Sequence, residues 1–398
     1  MRILFCTNSL GARGGIEMVT IVKANSFADI PGCEVAVCYT DRGTYPHDVI
    51  HPLSDKVRVY DLGVPFWDLY PLNAKNLLVN APKKFLKLRR VLKRVIRDFR
   101  PDIVITTGSY EKFGVASIRP SRLLGKTCAK VREYHFCSNY RDYLPHKPPV
   151  AWLAAAFEYR VLGRMFDMNY LLTREDMETN FKGRKGFDYM YNPVTFSAPE
   201  RRPIPERDNA VIVVCRLTAQ KNVHAIIRAW AAISGDVPSW RLRIVGDGDQ
   251  RKELESLADK LGVMDTVEFL GFRKDIPELL SHSKILVMTS RYEGFTLNML
   301  EAIVCGTVPV AYRAPYGPAD LITDGVDGVL VDYMDEAQFA IRLKALIQSP
   351  ERLEAMSEAA VERSRDFLPG NIAIQWMEKY GGLLQKIRNR SGSWSPIF

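Results

Sequence analysis

The chain reads Lys284-Ile-Leu-Val-Met288, then Glu293-Gly-Phe-Thr-Leu-Asn-Met-Leu-Glu301, and then Thr307-Val-Pro-Val-Ala311. The first and last runs are short and rich in apolar and β-branched residues, which is typical of strands buried on both faces. The middle run lies where the first strand passes through a short loop into a helix. We therefore predict a strand, loop, helix and strand unit of a parallel sheet.

Further apolar runs alternate with helical stretches on both sides of this unit. The N-terminal half contains Arg2–Thr7, Glu34–Tyr39, Asp102–Thr106 and Asn169–Thr173. The C-terminal half contains Ala210–Cys215, Trp240–Val245 and Thr266–Leu270. Such alternation predicts α/β architecture with doubly wound parallel sheets that are covered by helices on both faces.

Two domains account for the length of the chain, because one core rarely organises 398 residues. The alternation restarts after a segment rich in proline and charge at 197–209. We predict Rossmann-like domains at 1–193 and 194–369, with a C-terminal helix in 370–398 that packs back on the first domain and a frayed end. The loops at the carboxyl ends of the strands are expected to line a cleft between the domains.

The composition, 47% apolar and 10% aromatic, is that of an ordinary globular protein. No run approaches the roughly 18–20 continuous apolar residues that a membrane span requires. Met1–Cys6 leads into a polar loop and not into a signal peptide, so we expect a cytoplasmic protein. The seven cysteines are scattered and lack the close Cys/His pairs of a zinc site, which indicates free, buried thiols.

Positive charge is concentrated in the N-terminal half. Residues 1–193 contain 30 Lys and Arg against 19 Asp and Glu, while the whole chain has a net charge of +9. Residues 83–100 carry nine of these cations around an apolar stripe at Phe85, Leu88, Leu92, Val95 and Phe99. A surface helix packed on the sheet explains the stripe. The cations in addition favour peripheral contact with an anionic membrane surface.

The loop that begins at Glu293 is the strongest candidate for a binding site. The backbone N–H groups of Gly294, Phe295 and Thr296 fall at the predicted helix start, where they lack intrahelical acceptors and suit a diphosphate. Glu301 lies about a turn and a half further on, where it can reach a ribose diol. The alternative is an ordinary helix start whose acidic residues are favoured by the helix dipole.

The spacing of Glu293 and Glu301, with Gly-Phe after the first glutamate, resembles the signature of family 4 of the retaining glycosyltransferases. The resemblance covers most of residues 210–332 and implies the GT-B fold, in which two Rossmann-like domains face each other across a cleft. It implies that Glu293 contacts the donor sugar, that the amides from Gly294 to Leu297 hold phosphates, and that Glu301 binds ribose.

A second motif, Cys215-Arg-Leu-Thr-Ala-Gln-Lys221, follows a predicted strand. The guanidinium of Arg216 and the ammonium of Lys221 can converge on a pyrophosphate from one loop. The motif resembles the G-R-x-x-x-x-K pattern of the family, with Cys215 where glycine is usual. The alternative is a pair of solvated surface charges.

Two positions of the N-terminal half match the family as well. Gly14-Gly15-Ile-Glu17 resembles its Gly-Gly-x-Glu loop, where glycine lets substrate approach the backbone; the spacing does not fit the dinucleotide motif G-x-G-x-x-G. His135, in Arg-Glu-Tyr-His-Phe, matches a position that lies against the transferred sugar. A structural histidine is the alternative for His135.

The resemblance assigns Gly246 and Phe272 to the donor site. Asp247-Gly-Asp249 spells the D-x-D pattern of metal-binding glycosyltransferases. It follows a predicted strand where the family commonly has V-G-x-G, so a tight turn is the better interpretation. We expect no metal ion and no cofactor.

Together these residues predict a retaining, metal-independent transfer of a hexose or N-acetylhexosamine from a UDP-sugar to a glycan or polyprenyl-linked saccharide. The catalytic residues are predicted to be Glu293, His135, Arg216 and Lys221. The Pro-Tyr-Gly-Pro run within 312–320 resembles family members that build surface polysaccharides or lipid-linked oligosaccharides. The expected location is the inner face of the membrane, with peripheral attachment.

Other functions stay open at this point. A nucleotide-sugar epimerase has the same two-domain plan and would need no acceptor. A glycosidase is disfavoured, because Glu293 and Glu301 straddle a nucleotide better than one glycosidic bond. A nucleic-acid-binding protein lacks support, since the basic half shows no aromatic stacking platform or known module.

Overall fold

The computed structural model describes residues 1–11, 15–41, 52–66, 69, 75–108, 110–138, 151–197 and 199–392. Gly14 of the predicted glycine loop and the terminal residues 393–398 lie outside these ranges. All seven cysteines are free thiols. No described helix combines the length and the apolar character needed to cross a membrane.

The N-terminal sheet has seven parallel strands in the order β3-β2-β1-β4-β5-β6-β7. The strands are β1 Arg2–Thr7, β2 Glu34–Tyr39, β3 Val57–Asp61, β4 Ile103–Thr106, β5 Ala129–Glu133, β6 Met168–Leu171 and β7 Phe187–Tyr189. The helices are α1 Gly15–Ala28, α2 Ala81–Phe99, α3 Glu111–Ala116, α4 Pro120–Leu124, α5 Ala151–Ala156 and α6 Arg174–Asn180.

The C-terminal sheet has six parallel strands in the order β10-β9-β8-β11-β12-β13. The strands are β8 Asp208–Val214, β9 Arg241–Val245, β10 Val267–Gly271, β11 Ser283–Met288, β12 Val308–Tyr312 and β13 Val329–Val331. The helices are α7 Val223–Ile233, α8 Arg251–Lys260, α9 Ile276–His282, α10 Leu297–Val304, α11 Pro318–Leu321, α12 Glu336–Ile347, α13 Pro350–Ser364 and α14 Pro369–Gly392.

The predicted fold class is confirmed: both sheets are parallel, and helices alternate with their strands. Every strand predicted from an apolar run is present within two residues of its predicted ends. The prediction did not name β3, β5, β7 or β13. Of these, β5 has the sequence Ala-Lys-Val-Arg-Glu, which carries three charged residues. Two of these, Arg132 and Glu133, are buried in ion pairs, which an apolarity pattern cannot reveal.

The last helix, α14, crosses from the C-terminal domain to α1 and the N-terminal sheet. Its Trp376 is fully buried, with its ring centroid 4.7 Å from that of Tyr170 on β6 and in an edge-to-face arrangement. Tyr380, one turn further, has its ring centroid 6.1 Å from that of Phe27 on α1. One apolar cluster therefore includes residues of both sheets and of α14.

We expect Trp376→Ala to lower the free energy of unfolding by about 3–5 kcal/mol, because it leaves a large cavity at the junction. Urea unfolding followed by circular dichroism would measure this. Ile374 lies on the same helix but is 56% exposed, so Ile374→Ala is the matched control and should cost less than about 1 kcal/mol. Equal losses in the two variants would contradict the placement of Trp376 in a shared core.

Candidate functional site

Two loops at the carboxyl ends of neighbouring strands form the base of the site. Residues 215–222 follow β8 and residues 289–296 follow β11, and these strands pair directly. The Gln220 carbonyl accepts a 2.8 Å bond from the Arg291 amide, and its side-chain amide donates to the Tyr292 carbonyl at 2.9 Å. The loops are thus held together along their length, as expected for a ligand site beyond the strand ends.

The predicted residues Lys221 and Glu293 form a direct ion pair. Lys221 Nζ lies 2.6 Å from Glu293 Oε1, and both side chains are largely buried. The Glu293 amide also donates to the Pro315 carbonyl at 3.0 Å, which fixes the start of its loop. Arg216, in contrast, is exposed, and its guanidinium makes no hydrogen bond or ion pair within the described part of the chain.

The start of α10 presents free backbone donors. No described residue accepts a hydrogen bond from the amides of Gly294, Phe295 or Thr296. The amide of Leu297, in contrast, donates to the Phe295 carbonyl at 3.0 Å, so it is not available to a phosphate. The Asn298 side chain donates to the Val214 carbonyl at 2.6 Å and thereby joins this helix start to the loop that carries Arg216.

Glycines allow the two domains to touch at this point. A Cβ atom on Gly294 would lie 2.8 Å from the His135 carbonyl oxygen and 3.0 Å from Phe136 Cα. A Cβ atom on Gly15, at the start of α1, would lie 3.0 Å from Leu297 Cδ1. The predicted residues of the N-terminal half therefore meet the predicted phosphate loop of the C-terminal half.

The ribose residue predicted at Glu301 is held by an unpredicted partner. Thr195, in the segment between the two sheets, donates its hydroxyl to Glu301 Oε1 at 2.6 Å. Burial raises the pKa of the Glu301 carboxyl to about 7, although this hydrogen bond acts in the opposite direction. Thr195 could not be found from the sequence, because it lies more than a hundred residues from Glu301 and belongs to no motif.

The other residues predicted to bind the donor, Gly246, Phe272 and Phe295, lie at three separate positions. Gly246 has a φ of 131°, and a Cβ there would lie 1.8 Å from the Cys215 carbonyl oxygen. It therefore packs directly beside Arg216. Phe272 follows β10, two strands away from β8, and is 61% exposed. The Phe295 ring lies at the domain junction, with its centroid 5.9 Å from that of Tyr191.

The Asp247-Gly-Asp249 segment forms a turn after β9. The Leu217 amide donates to the Asp247 carbonyl at 2.9 Å, and a Cβ on Gly248 would lie 2.3 Å from the Leu217 carbonyl oxygen. The close approach explains the need for glycine between the two aspartates. Within the described ranges, no three His, Cys, Asp or Glu side chains are grouped so that they could hold a metal ion.

The loop 312–320 connects the domains at the rim of the site. Tyr316 accepts a 2.8 Å hydrogen bond from Asn180 at the end of α6. Asp320 accepts hydrogen bonds from the amides of Arg174 and Glu175, at 3.1 and 3.2 Å, and thereby caps the start of α6. These two side chains thus have a structural role across the junction, next to the sugar contacts that the resemblance implies for the loop.

Fold and site together define the architecture: two facing Rossmann-like domains with a helix start that presents free backbone amides between them, which is the GT-B fold of glycosyltransferases. Residues 195–363 match the family model described as "Glycosyl transferases group 1". The match covers the second sheet and every predicted residue of that domain. The resemblance to glycosyltransferases noted in the sequence is therefore confirmed.

The chain is similar to proteins that are named for glycan assembly. It is 29% identical to an exopolysaccharide phosphotransferase of Streptomyces coelicolor over 74% of this chain, and it spans only 30% of that relative. It is 28% identical, over 98% of this chain and 99% of the relative, to a Campylobacter jejuni protein named GalNAc-alpha-(1->4)-GalNAc-alpha-(1->3)-diNAcBac-PP-undecaprenol alpha-1,4-N-acetyl-D-galactosaminyltransferase.

A solved structure of similar fold is that of an S. aureus TarM mutant in complex with fondaparinux, alpha-GlcNAc-glycerol and UDP. The two chains superpose with a TM-score of 0.76 at 13% identity, over 95% of this chain and 99% of TarM. At this identity the similarity establishes the GT-B fold.

Glu301 should make the stability of the unliganded protein depend on pH. Its folded-state pKa of about 7 lies above the unfolded value of about 4.3, so its contribution is fully present below the unfolded value and is lost as pH rises toward 7. We expect a loss on the order of 3–4 kcal/mol across this window. Urea unfolding at a series of pH values would measure it. Glu301→Gln should flatten the slope, and an unchanged slope would contradict the assignment.

Proposed function

We propose that this protein is a retaining glycosyltransferase that moves a hexose or N-acetylhexosamine from a UDP-sugar to a glycan or polyprenyl-linked saccharide. The observation that carries the proposal is the cluster of free amides at Gly294, Phe295 and Thr296 beside the Lys221–Glu293 pair. This cluster lies where the N-terminal domain, through His135, touches the C-terminal domain. UDP in the TarM complex, named with that structure, supports the choice of nucleotide.

The difficult step is departure of the nucleotide diphosphate, which concentrates negative charge on the β-phosphate while the sugar becomes oxocarbenium-like. The amides at the start of α10 and the ammonium of Lys221 supply positive potential that is already in place. The exposed guanidinium of Arg216 is free to turn onto the pyrophosphate as a bidentate donor. These groups make the proposed transfer independent of a metal ion.

Glu293 is proposed to orient the sugar. In the unliganded site its carboxylate neutralises Lys221 at 2.6 Å. A donor diphosphate would compete for that lysine and free Glu293 to accept hydrogen bonds from sugar hydroxyls. The acceptor then attacks from the face of the leaving group, with the leaving phosphate taking the acceptor proton, so no carboxylate nucleophile is required.

The rest of the donor extends along the C-terminal sheet. Glu301 is proposed to bind the ribose diol, and the exposed ring of Phe272 offers a surface for the nucleobase. Gly246 lets the loop after β9 pack against the loop that carries Arg216, since any side chain there would collide with the Cys215 carbonyl oxygen.

The acceptor is proposed to enter from the N-terminal domain. A cavity of about 120 Å³ opens beside His135 and is lined by Lys112, Arg132, Glu158 and Tyr159 among others. The polar lining suits saccharide hydroxyls. The full-length C. jejuni relative is named for an undecaprenol-diphosphate-linked acceptor, which supports a lipid-linked saccharide as the substrate class.

Membrane contact is proposed through α2. Lys83, Lys87, Arg90, Arg94 and Arg97 recur every three or four residues and are all exposed, while Leu88, Leu92, Val95 and Phe99 on the opposite side are buried. Beside this row, a recess of about 430 Å³ is lined by four more cations, Arg89, Lys93, Arg119 and Arg122. This surface is suited to anionic headgroups, and the proposed location is therefore the inner face of the membrane.

Transfer activity tests the proposal directly. With radiolabelled UDP-sugars and lipid-linked saccharides, Arg216→Ala, Lys221→Ala and Glu293→Ala should each lower kcat/KM by about 10²–10³-fold, because each removes charge stabilisation or sugar orientation at the reacting centre. NMR analysis of the product should show that the transferred sugar keeps the anomeric configuration that it has in the donor. An isomerised nucleotide sugar without acceptor would identify an epimerase instead.

Arg342→Ala is the matched control for these three variants. Arg342 forms an ion pair with Asp324 at 2.8 Å on the same domain, outside the proposed site. We expect its kcat/KM to stay within about twofold of wild type, as is usual for partly exposed pairs. Near-normal turnover in all three site variants would refute the proposed donor site.

Binding to vesicles tests the proposed membrane surface. Arg90→Gln/Arg94→Gln/Arg97→Gln should weaken binding to phosphatidylglycerol-containing vesicles by about 100-fold, at about 1 kcal/mol for each cation. Lys252→Gln/Lys260→Gln/Arg352→Gln removes the same charge from exposed positions of the C-terminal domain and should change binding little. Sedimentation with vesicles measures the binding of both triple variants. Equal losses of binding in the two would mean that only the net charge determines binding, which would contradict the proposed surface.

A further inference from the structure

A buried ion pair lies directly behind His135. Lys23 on α1 and Glu133 at the end of β5 approach to 2.5 Å, with side-chain exposures of only 2% and 1%. The other carboxylate oxygen, Glu133 Oε2, lies 3.6 Å from His135 Nε2. Both of these atoms are buried and neither has a hydrogen-bond partner among the described residues. Two unsatisfied polar atoms thus face each other across a gap slightly longer than a hydrogen bond.

The chemistry of the two groups decides which one carries the proton. An ionised carboxylate can only accept hydrogen bonds, so in the neutral imidazole the Nε2 atom that faces it carries the proton. The other nitrogen, Nδ1, then has a free lone pair. Leaving two buried polar atoms unpaired is unfavourable, so a hydrogen bond between them would be stabilising.

Lys23 keeps Glu133 ionised in this apolar environment. Burial alone would raise the pKa of Glu133, but the Lys23 ammonium and the His135 imidazole together bring the pKa below its usual value. The helix α14 closes this pair from behind: the Trp376 ring centroid lies 3.8 Å from Lys23 Nζ, and the Tyr380 hydroxyl lies 3.5 Å from Glu133 Oε1. The carboxylate is therefore shielded from water and fixed in place.

One more carboxylate, that of Glu17 on α1, acts on His135. Burial raises the pKa of Glu17, while the nearby His135 ring acts in the opposite direction. Of the two carboxylates, Glu133 is the one that is held ionised by a buried cation. Glu133 is therefore the dominant negative charge at the imidazole.

We propose that Glu133 is a positioning residue for His135: it holds the proton on Nε2 and leaves Nδ1 to accept a hydrogen bond from a hydroxyl of the bound sugar or acceptor. Lys23 acts through Glu133 by keeping it ionised. The inference rests on the proposed role of His135 against the transferred sugar. It requires no additional group, because no bond is made or broken by the pair.

The experiment replaces both charges together. Lys23→Met/Glu133→Gln keeps the side-chain volumes and leaves no unpaired buried charge, so the fold should be retained. We expect kcat to fall on the order of 10–100-fold, as for other partners that orient a histidine, with little change in the donor KM. In ¹⁵N NMR of the His135 ring, the wild-type protein should show the proton on Nε2, and the double variant should show a mixture of the two tautomers, because the acceptor that fixes the proton has been replaced.

A double-mutant comparison separates positioning from structure. In a His135→Ala background, Lys23→Met/Glu133→Gln should have almost no further effect on kcat, because its target is missing. Asp102→Asn/Lys126→Met removes another partly buried ion pair of the same sheet, with 2.7 Å between its charged atoms. It should leave kcat and the tautomer of His135 unchanged.

The outcomes distinguish the inference from the function on which it rests. If His135→Ala leaves kcat at the wild-type level, the proposed role of His135 is wrong and the role of Glu133 is wrong with it. If His135→Ala lowers kcat, but the paired substitution lowers it equally with and without His135, the pair is structural. That result would overturn the inference while leaving the glycosyltransferase site intact.

Discussion

The site depends on a contact between two backbones. Gly294 lies against the carbonyl of His135 and the Cα atom of Phe136, at distances that leave no room for a Cβ atom. Any other residue at 294 would push the loop before α10 away from the N-terminal strand ends. Because rate depends steeply on the placement of reacting groups, this contact sets the geometry in which donor and acceptor halves can meet.

The buried charges of the cleft are paired in the unliganded protein. Lys221 is neutralised by Glu293, and Glu133 by Lys23, so neither buried charge stands alone. A diphosphate would replace Glu293 as the partner of Lys221, whereas nothing in the proposed reaction replaces Lys23. In the proposed reaction, Lys221 therefore changes its partner when the diphosphate binds. The Lys23–Glu133 pair would instead keep a constant negative charge beside His135.

Much of this architecture could be predicted from local patterns. Apolar runs predicted strands such as β8 and β11 because strands buried on both faces need no alternation. The order of strand, loop and helix around Glu293 predicted the free amides at the start of α10, because the first amides of a helix lack intrahelical acceptors. Patterns failed for β5, which is buried through ion pairs, and for Thr195 and Lys23, which contact residues more than a hundred positions away. Partners at such distances follow from tertiary packing, which leaves no local signal.

The domain junction joins the proposed chemistry to the stability of the fold. Asp320 caps α6 across the cleft, and the same α14 that completes the shared core also seals the Lys23–Glu133 pair. A helix that only covered apolar surface would not need to present Trp376 to an ammonium and Tyr380 to a carboxylate. If Glu133 positions His135 as proposed, these polar contacts make the orientation of the imidazole depend on the docking of the last helix. The crossing of the chain back to its first domain would then belong to the proposed site as well as to the scaffold.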